Sequence, residues 1–270
     1  MKEYILKTMD DGHVITVRDV QMVLLEMLKM IDKISKDYGI PYYLVGGSAL
    51  GAVRHKGFIP WDDDADIAMM REDYEKFLKI LPAALPEEYM FQCFDTHQEY
   101  TVTIPAMKIR KKNTYVKEAN TLLANKCPDG DGLFIDVFII DYVSERKAAD
   151  LIHRIGNDAL MPLITICENL HMNPLGLKKL FVNHAKRYGE KAKGSPLIGY
   201  DLTWTFYSPF KPIVYPKSMI YPTRYVPFED TMLPVPNKAE EYLKIEIGET
   251  YMQYPAEKDQ QPKHIIDIKL

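Results

Sequence analysis

The sequence predicts an α+β protein: a mixed sheet flanked by helices, followed by a helical insertion and a proline- and tyrosine-rich C-terminal wrap. Three observations carry this expectation. Strand-like and helix-like patterns alternate through about the first 140 residues. Residues 145–193 turn helical, and the final third is interrupted by Pro209, Pro212, Pro216, Pro222, Pro227, Pro234 and Pro236. The order of elements leaves both α/β and α+β open for the first part. With no internal repeat, low-complexity segment or flexible linker, one compact unit is expected over 1–270, made of a core (1–143), a helical region (144–200) and a C-terminal part (201–270) that completes the site.

The elements follow in order. Val20, Val23, Leu24, Met27, Leu28, Ile31 and Ile34 recur at helical spacing, so a helix is expected over 18–38, capped by Thr16 and ended by Gly39. Residues 42–45 read as a short strand running into Gly46, Gly47 and Ser48, and a short helix is expected over 49–55. After the acidic segment 62–66, Tyr74, Phe77, Leu78 and Leu81 mark a helix. Strand-like stretches recur at 89–94, 106–110 and 133–140, the last broken by Asp136. The 145–193 region ends in a basic run with Lys178, Lys179, Lys186, Arg187, Lys191 and Lys193, and a last helix is expected over 238–247, ending at Gly248.

Composition bounds the function. The chain has 270 residues, 47% of them hydrophobic, which excludes disorder, collagen and coiled coil. Asp and Glu number 38 against 34 Lys and Arg, a net charge of -4, so indiscriminate nucleic-acid binding is not expected. Cys93, Cys127 and Cys167 form no C-x-x-C pair, which argues against a disulfide framework or zinc knuckle and fits a reducing cytoplasm. The N-terminus lacks the apolar core of a signal peptide, and no apolar run approaches the roughly 20 residues that span a bilayer.

The chemistry concentrates at Asp62, Asp63, Asp64 and Asp66. Four carboxylates within five residues repel one another unless a cation or solvent relieves them. If residues 61–69 enter a strand, alternation puts Asp62, Asp64 and Asp66 on one face and Asp63 on the other, with Ile67 and Met69 towards apolar packing. Oxygen-only ligands favour Mg²⁺ or Mn²⁺. The plainer alternative is a solvated acidic loop. An EF-hand is excluded because no glycine occurs in 62–73. Gly46, Gly47 and Ser48 at a strand-to-helix turn offer backbone N–H groups, a hydroxyl and a helix dipole to an anion. Asp136 in an apolar strand needs a partner, for which the same metal is a candidate. A phosphate cradle, a carboxylate pair and a third carboxylate together describe a phosphoryl- or nucleotidyl-transfer site.

These residues carry a family resemblance. Gly46-Gly47-Ser48, then Arg54-His55-Lys56-Gly57-Phe58-Ile59-Pro60-Trp61, then Asp62-Asp63-Asp64-Ala65-Asp66-Ile67 resemble the signature of the LicD family, bacterial phosphorylcholine transferases related to fukutin and fukutin-related protein. The resemblance continues through Arg71-Glu72-Asp73-Tyr74, Lys108 with Thr114, residues 132–141, Phe228-Glu229, and Tyr242-Leu243 with 248–255. Departures are Ala65 for Ile or Val, Ile140 for Pro, and Glu246-Ile247-Gly248-Glu249 for a Tyr-Gly-Asp pattern, while residues 145–215 match weakly. The resemblance implies a nucleotidyltransferase-like fold and a CDP-alcohol donor, CDP-choline favoured over CDP-ribitol or CDP-glycerol. It further implies a sugar hydroxyl of teichoic acid, lipopolysaccharide or another surface glycan as acceptor.

On that reading Asp64 and Asp66, helped by Asp62, hold the metal on the donor pyrophosphate. Gly46, Gly47 and Ser48 cradle a phosphate, and Arg54 or Lys108 adds a charged contact. Asp136 is a third ligand or the general base, and His264 resembles a family histidine that contacts substrate. Trp204, Tyr207, Tyr215, Tyr221 and Tyr225 are available for a choline cage. The basic run ending near Lys193 could face the inner surface of the membrane, where a lipid-linked acceptor sits, or be an ordinary solvated helix face. Two other readings share the same residues: a nucleotidyltransferase acting on a nucleoside triphosphate, and an inactive glycan- or nucleotide-binding protein.

Overall fold

A computed structural model describes residues 3–119 and 130–270. Cys127 lies outside the described residues. The elements in chain order are β1 (Ile5–Thr8), β2 (Val14–Thr16), α1 (Val17–Tyr38), β3 (Tyr43–Leu44), α2 (Gly46–His55), β4 (Asp66–Met70), α3 (Arg71–Ala84), β5 (Tyr89–Cys93), β6 (Met107–Lys111), β7 (Tyr115–Glu118) and β8 (Phe134–Tyr142). They continue with α4 (Lys147–Asp158), α5 (Met161–Asn169), α6 (Leu175–Lys191), β9 (Leu197–Tyr200), β10 (Val214–Pro216), α7 (Lys217–Ile220), β11 (Arg224–Phe228), β12 (Thr231–Val235), α8 (Ala239–Glu246) and β13 (Ile265–Lys269).

Helix α1 starts where its sequence says it should. Thr16 Oγ1 accepts the Asp19 amide and Asp19 accepts the Thr16 amide, a reciprocal capping box, while Gly39 closes the other end in the left-handed region. Its apolar stripe is buried along the helix, with Val20, Leu24, Met27, Leu28 and Ile31 inaccessible to solvent. The central sheet is mixed, as an α+β fold requires. Strand β8 is its spine: β4 runs parallel to it along one edge, and on the other edge β6 pairs antiparallel with its first half and β9 with its second. Strand β3 adds antiparallel to β4, β5 to β6 and β10 to β9.

Three expectations are corrected. Helix α2 begins at Gly46, not residue 49, so Gly46, Gly47 and Ser48 form its first turn. The acidic segment is not strand throughout: β4 begins only at Asp66, and residues 62–65 approach it as extended loop. The proline-rich final third holds short strands, and β13 leaves it to pair with β7 far upstream. Pro216, Pro227 and Pro234 sit in β10, β11 and β12, strands paired on few neighbours, where a missing N–H costs little, and the other prolines lie between the strands.

Candidate active site

Register brings the charged side chains together. Asp66 in β4 lies opposite Asp136 in β8, and Asp136 lies opposite Lys108 in β6, so neighbouring strands present the three side by side on one sheet face. Lys108 is 1% exposed. Its Nζ lies 2.8 Å from Asp136 Oδ1 and 3.3 Å from Glu118 Oε2, and 3.3 Å from the centre of the Phe134 ring. Arg110, also buried, donates to Gln92 Oε1 and the Gly132 carbonyl and approaches Glu118, holding that carboxylate behind Lys108.

The N-terminus of α2 faces this row. Gly46 adopts φ of +51°, and a Cβ on Gly47 would stand 2.7 Å from Asp62 Oδ2, so the acidic segment passes directly over the Gly-Gly turn. Any side chain at 47 would displace the Asp62 carboxylate. Ser48 Oγ accepts the Asp66 amide at 2.9 Å, tying the first turn of α2 to the start of β4. The Gly46 amide reaches Tyr242 Oη of α8 at 3.4 Å.

The C-terminal segment closes the site from the other side. Asp63, 2% exposed, accepts the backbone amides of Lys263 and His264 at 3.2 Å and of Ile265 at 2.8 Å. This fixes His264, whose Nε2 lies 3.3 Å from Asp64 Oδ2. One ligand atom each from Asp62, Asp64 and His264 lie within 4.8 Å of one another. Two carboxylates, an imidazole and the neighbouring Asp66 suit a divalent cation, and the imidazole suits Mn²⁺ better than Mg²⁺.

Electrostatics mark the same place. Burial first, then mutual repulsion, pushes Asp62 and Asp66 well above the ordinary carboxylate range. Burial raises Asp64 to about 6, with His264 pulling the other way. Asp136 is also raised by burial, and Lys108 opposes the rise. Such a group of acids, in excess of the positive charges packed against it, favours a cation.

The sequence-derived residues fare unequally. Asp62, Asp64, Asp66, Asp136, Lys108, Gly46, Gly47, Ser48 and His264 converge on one end of the sheet. Lys108 is ion-paired with Asp136. Arg54 spends its Nη1 on the carbonyls of Tyr251 and Gln253 and its Nε on His55, while Asp62 still acts on its charge. Asp63 does not point towards apolar packing but binds the backbone of 263–265. Its role was hidden because its partners lie 200 residues away.

Two further groups went unassigned in the sequence. Glu118 backs Lys108, and Glu246 accepts hydroxyls from Tyr200 at 2.9 Å, Tyr207 at 3.1 Å and Tyr215. The signal for Glu246 was its departure from the Tyr-Gly-Asp pattern. Of the aromatic residues named for a cage, Trp204, Tyr207 and Tyr215 gather around this carboxylate and its Tyr200 and Tyr242 neighbours, whereas Tyr225 donates to Asp32 elsewhere.

A Gly-Gly helix N-terminus set against acids at one end of a mixed sheet suits a phosphoryl- or nucleotidyl-transfer site. The family model described as LicD/FKTN/FKRP, nucleotidyltransferase domain, matches residues 39–127. Over 93% of this chain and 97% of its own length, the lipopolysaccharide cholinephosphotransferase LicD of Haemophilus influenzae is 28% identical. Ribitol-5-phosphate transferase FKTN of Mus musculus is 35% identical over 24% of this chain and 15% of its own length, and ribitol 5-phosphate transferase FKRP of Homo sapiens is 54% identical over 13% and 7%. Residues 39–127 thus resemble the LicD family's domain, and the chain as a whole is similar to a LicD protein.

Proposed function

We propose that this chain transfers a phosphoalcohol group, phosphocholine from CDP-choline, to a sugar hydroxyl of a cell-surface glycan such as lipopolysaccharide or teichoic acid, releasing CMP. The observation that carries the reading is the in-register row Asp66, Asp136 and Lys108 facing the Gly-Gly first turn of α2. The full-length likeness to a cholinephosphotransferase supports it. A cytoplasmic enzyme acting on a lipid-linked acceptor fits the absence, among the described residues, of a helix long and apolar enough to cross a membrane.

Asp62, Asp64 and His264, with Asp66 beside them, would hold Mn²⁺ or Mg²⁺. A bound divalent cation supplies charge neutralisation for the donor pyrophosphate and for the departing CMP. The chain's own groups do the rest. Backbone N–H groups at Gly46 and Gly47 and the α2 dipole hold a phosphate. Asp136, poised by Lys108, takes the proton of the acceptor hydroxyl as its oxygen bonds to the choline-bearing phosphorus and the bond to the CMP oxygen breaks. His264 is kept in place by Asp63.

CMP release from CDP-choline, CDP-ribitol and CDP-glycerol, each with a glycan acceptor, tests the donor. Release from CDP-choline alone is expected. Release of pyrophosphate from CTP without turnover of any CDP-alcohol would replace the reading with a nucleotidyltransferase.

A further inference from the structure

Helices α4 and α5 are built inside out. In α4 the buried positions are Asp150, Arg154 and Asn157, whereas Ile152 is 69% and Ile155 43% exposed, with Ala148 and Ala159 also exposed one turn to either side. Positions 148, 152, 155 and 159 form a single helical stripe. The buried polar face is held by internal contacts: Arg154 Nε lies 2.9 Å from Asp150 Oδ2, Tyr188 donates to Asp150, and Asn157 donates to the carbonyls of Phe181 and Leu202. Helix α5 repeats the pattern in part. It buries Ile164 and, against Lys178 at 2.6 Å, Glu168, while Leu163, Ile166 and Leu170 are each more than half exposed at positions i, i+3 and i+7.

Scattered surface apolar residues need no explanation, but two consecutive helices that turn ion pairs inward and branched apolar stripes outward do. We infer that the α4–α5 face docks on an anionic lipid bilayer, lying in the interface without crossing it. Charge selects this occupant. Residues 145–193 carry nine Lys and Arg against five Asp and Glu, +4 in a chain whose total is -4. Arg146, Lys147, Lys179 and Arg187 are exposed around the two helices. The basic run of α6 contributes less than its sequence suggests, because Lys178 is consumed by Glu168, Lys186 by Glu75 and Lys193 by Glu72. A second copy docking through the same face would set this cationic rim against itself, whereas anionic headgroups complement it. At 12 and 9 residues, α4 and α5 fit an in-plane amphipathic role and are too short to span.

The test does not depend on donor or acceptor. The full chain is sedimented with phosphatidylcholine vesicles with and without phosphatidylglycerol. Wild type should partition onto the phosphatidylglycerol vesicles and lose binding in high salt. The variant Ile152→Ser, Ile155→Ser, Leu163→Ser, Ile166→Ser should weaken partitioning at least about tenfold. A second variant, Arg146→Gln, Lys147→Gln, Lys179→Gln, should remove the preference for the anionic lipid. Failure of wild type to bind either vesicle overturns the inference, as does unchanged binding by the serine variant. Analytical ultracentrifugation showing a dimer that the serine variant dissolves, without vesicle binding, would assign the face to a second copy instead.

Discussion

Two regions of this protein bury acidic side chains in opposite ways. Around Arg71, Asp141 and Asp201 share one guanidinium, at 2.6 and 2.7 Å, and in α4 and α5 each buried carboxylate has its own Arg or Lys. At the α2 end of the sheet, the four carboxylates of Asp62, Asp64, Asp66 and Asp136 outnumber the buried cations near them, Lys108 and, behind it, Arg110. Burial raises Asp141 to about 6 even beside Arg71, so desolvation acts in both places. The difference is the missing counter-charge. Pairs neutralised inside the chain hold it together, and an excess of one sign waits for something from outside.

The contrast can be broken by substitution. On the proposed reading, Asp64→Asn or Asp66→Asn should lower CMP release by about 10³-fold or more, since a cation held there would be lost from the transition state. The same variants should unfold at an unchanged or higher temperature, because like charges have been separated. Arg71→Met should behave in the reverse way, lowering stability by about 3–5 kcal/mol by leaving two buried carboxylates unpaired. Denaturant melts alongside CMP assays distinguish the two, and an Asp64→Asn protein that is active or strongly destabilised would erase the distinction.

A smaller effect is expected behind the site. Lys108→Met removes the counter-charge of Asp136 and should cost about 10²-fold in turnover while moving the acidic limb of the pH profile upward. Gly47→Ala pushes a methyl against Asp62 and should weaken cation binding by about tenfold, read by calorimetric titration with Mn²⁺. The gentlest probe is pH. Asp64 titrates near 3.8 when unfolded and about 6 when folded, so the folded state keeps a proton that the unfolded chain has released. Without cation, stability should therefore fall as pH rises from about 4 through 6, and added Mn²⁺ should restore it above pH 6 and not below. A melting temperature that climbs with pH across that window would contradict the raised carboxylates.

How much of this was legible in the sequence depended on distance along the chain. Helix α1 was readable because its cap, stripe and stop are all local. The acidic cluster was readable because Asp62 to Asp66 and the Gly-Gly turn lie within about 20 residues, and Asp136 stood out against an apolar strand. Asp63, Glu118 and the pairing of β7 with β13 were not, since each acquires its meaning from a partner that no local pattern announces. The region of α4 and α5 was recognised as helical, but neither its division into separate helices nor the face each buries was. Period 3.6 identifies a stripe without saying which side meets the core, and here ion pairs took that side.

The bond from Asp63 to the amides of 263–265 also orders events in time. A chain emerging from the ribosome has its acidic segment early, yet that segment has no closing wall until about 200 residues later, when Lys263 and His264 arrive. Until then four aspartates are gathered without the histidine or the strand that shuts them in. The acidic site is thus among the last parts of the molecule to be finished, and a chain stopped before residue 263 has neither its imidazole nor the amides that hold Asp63.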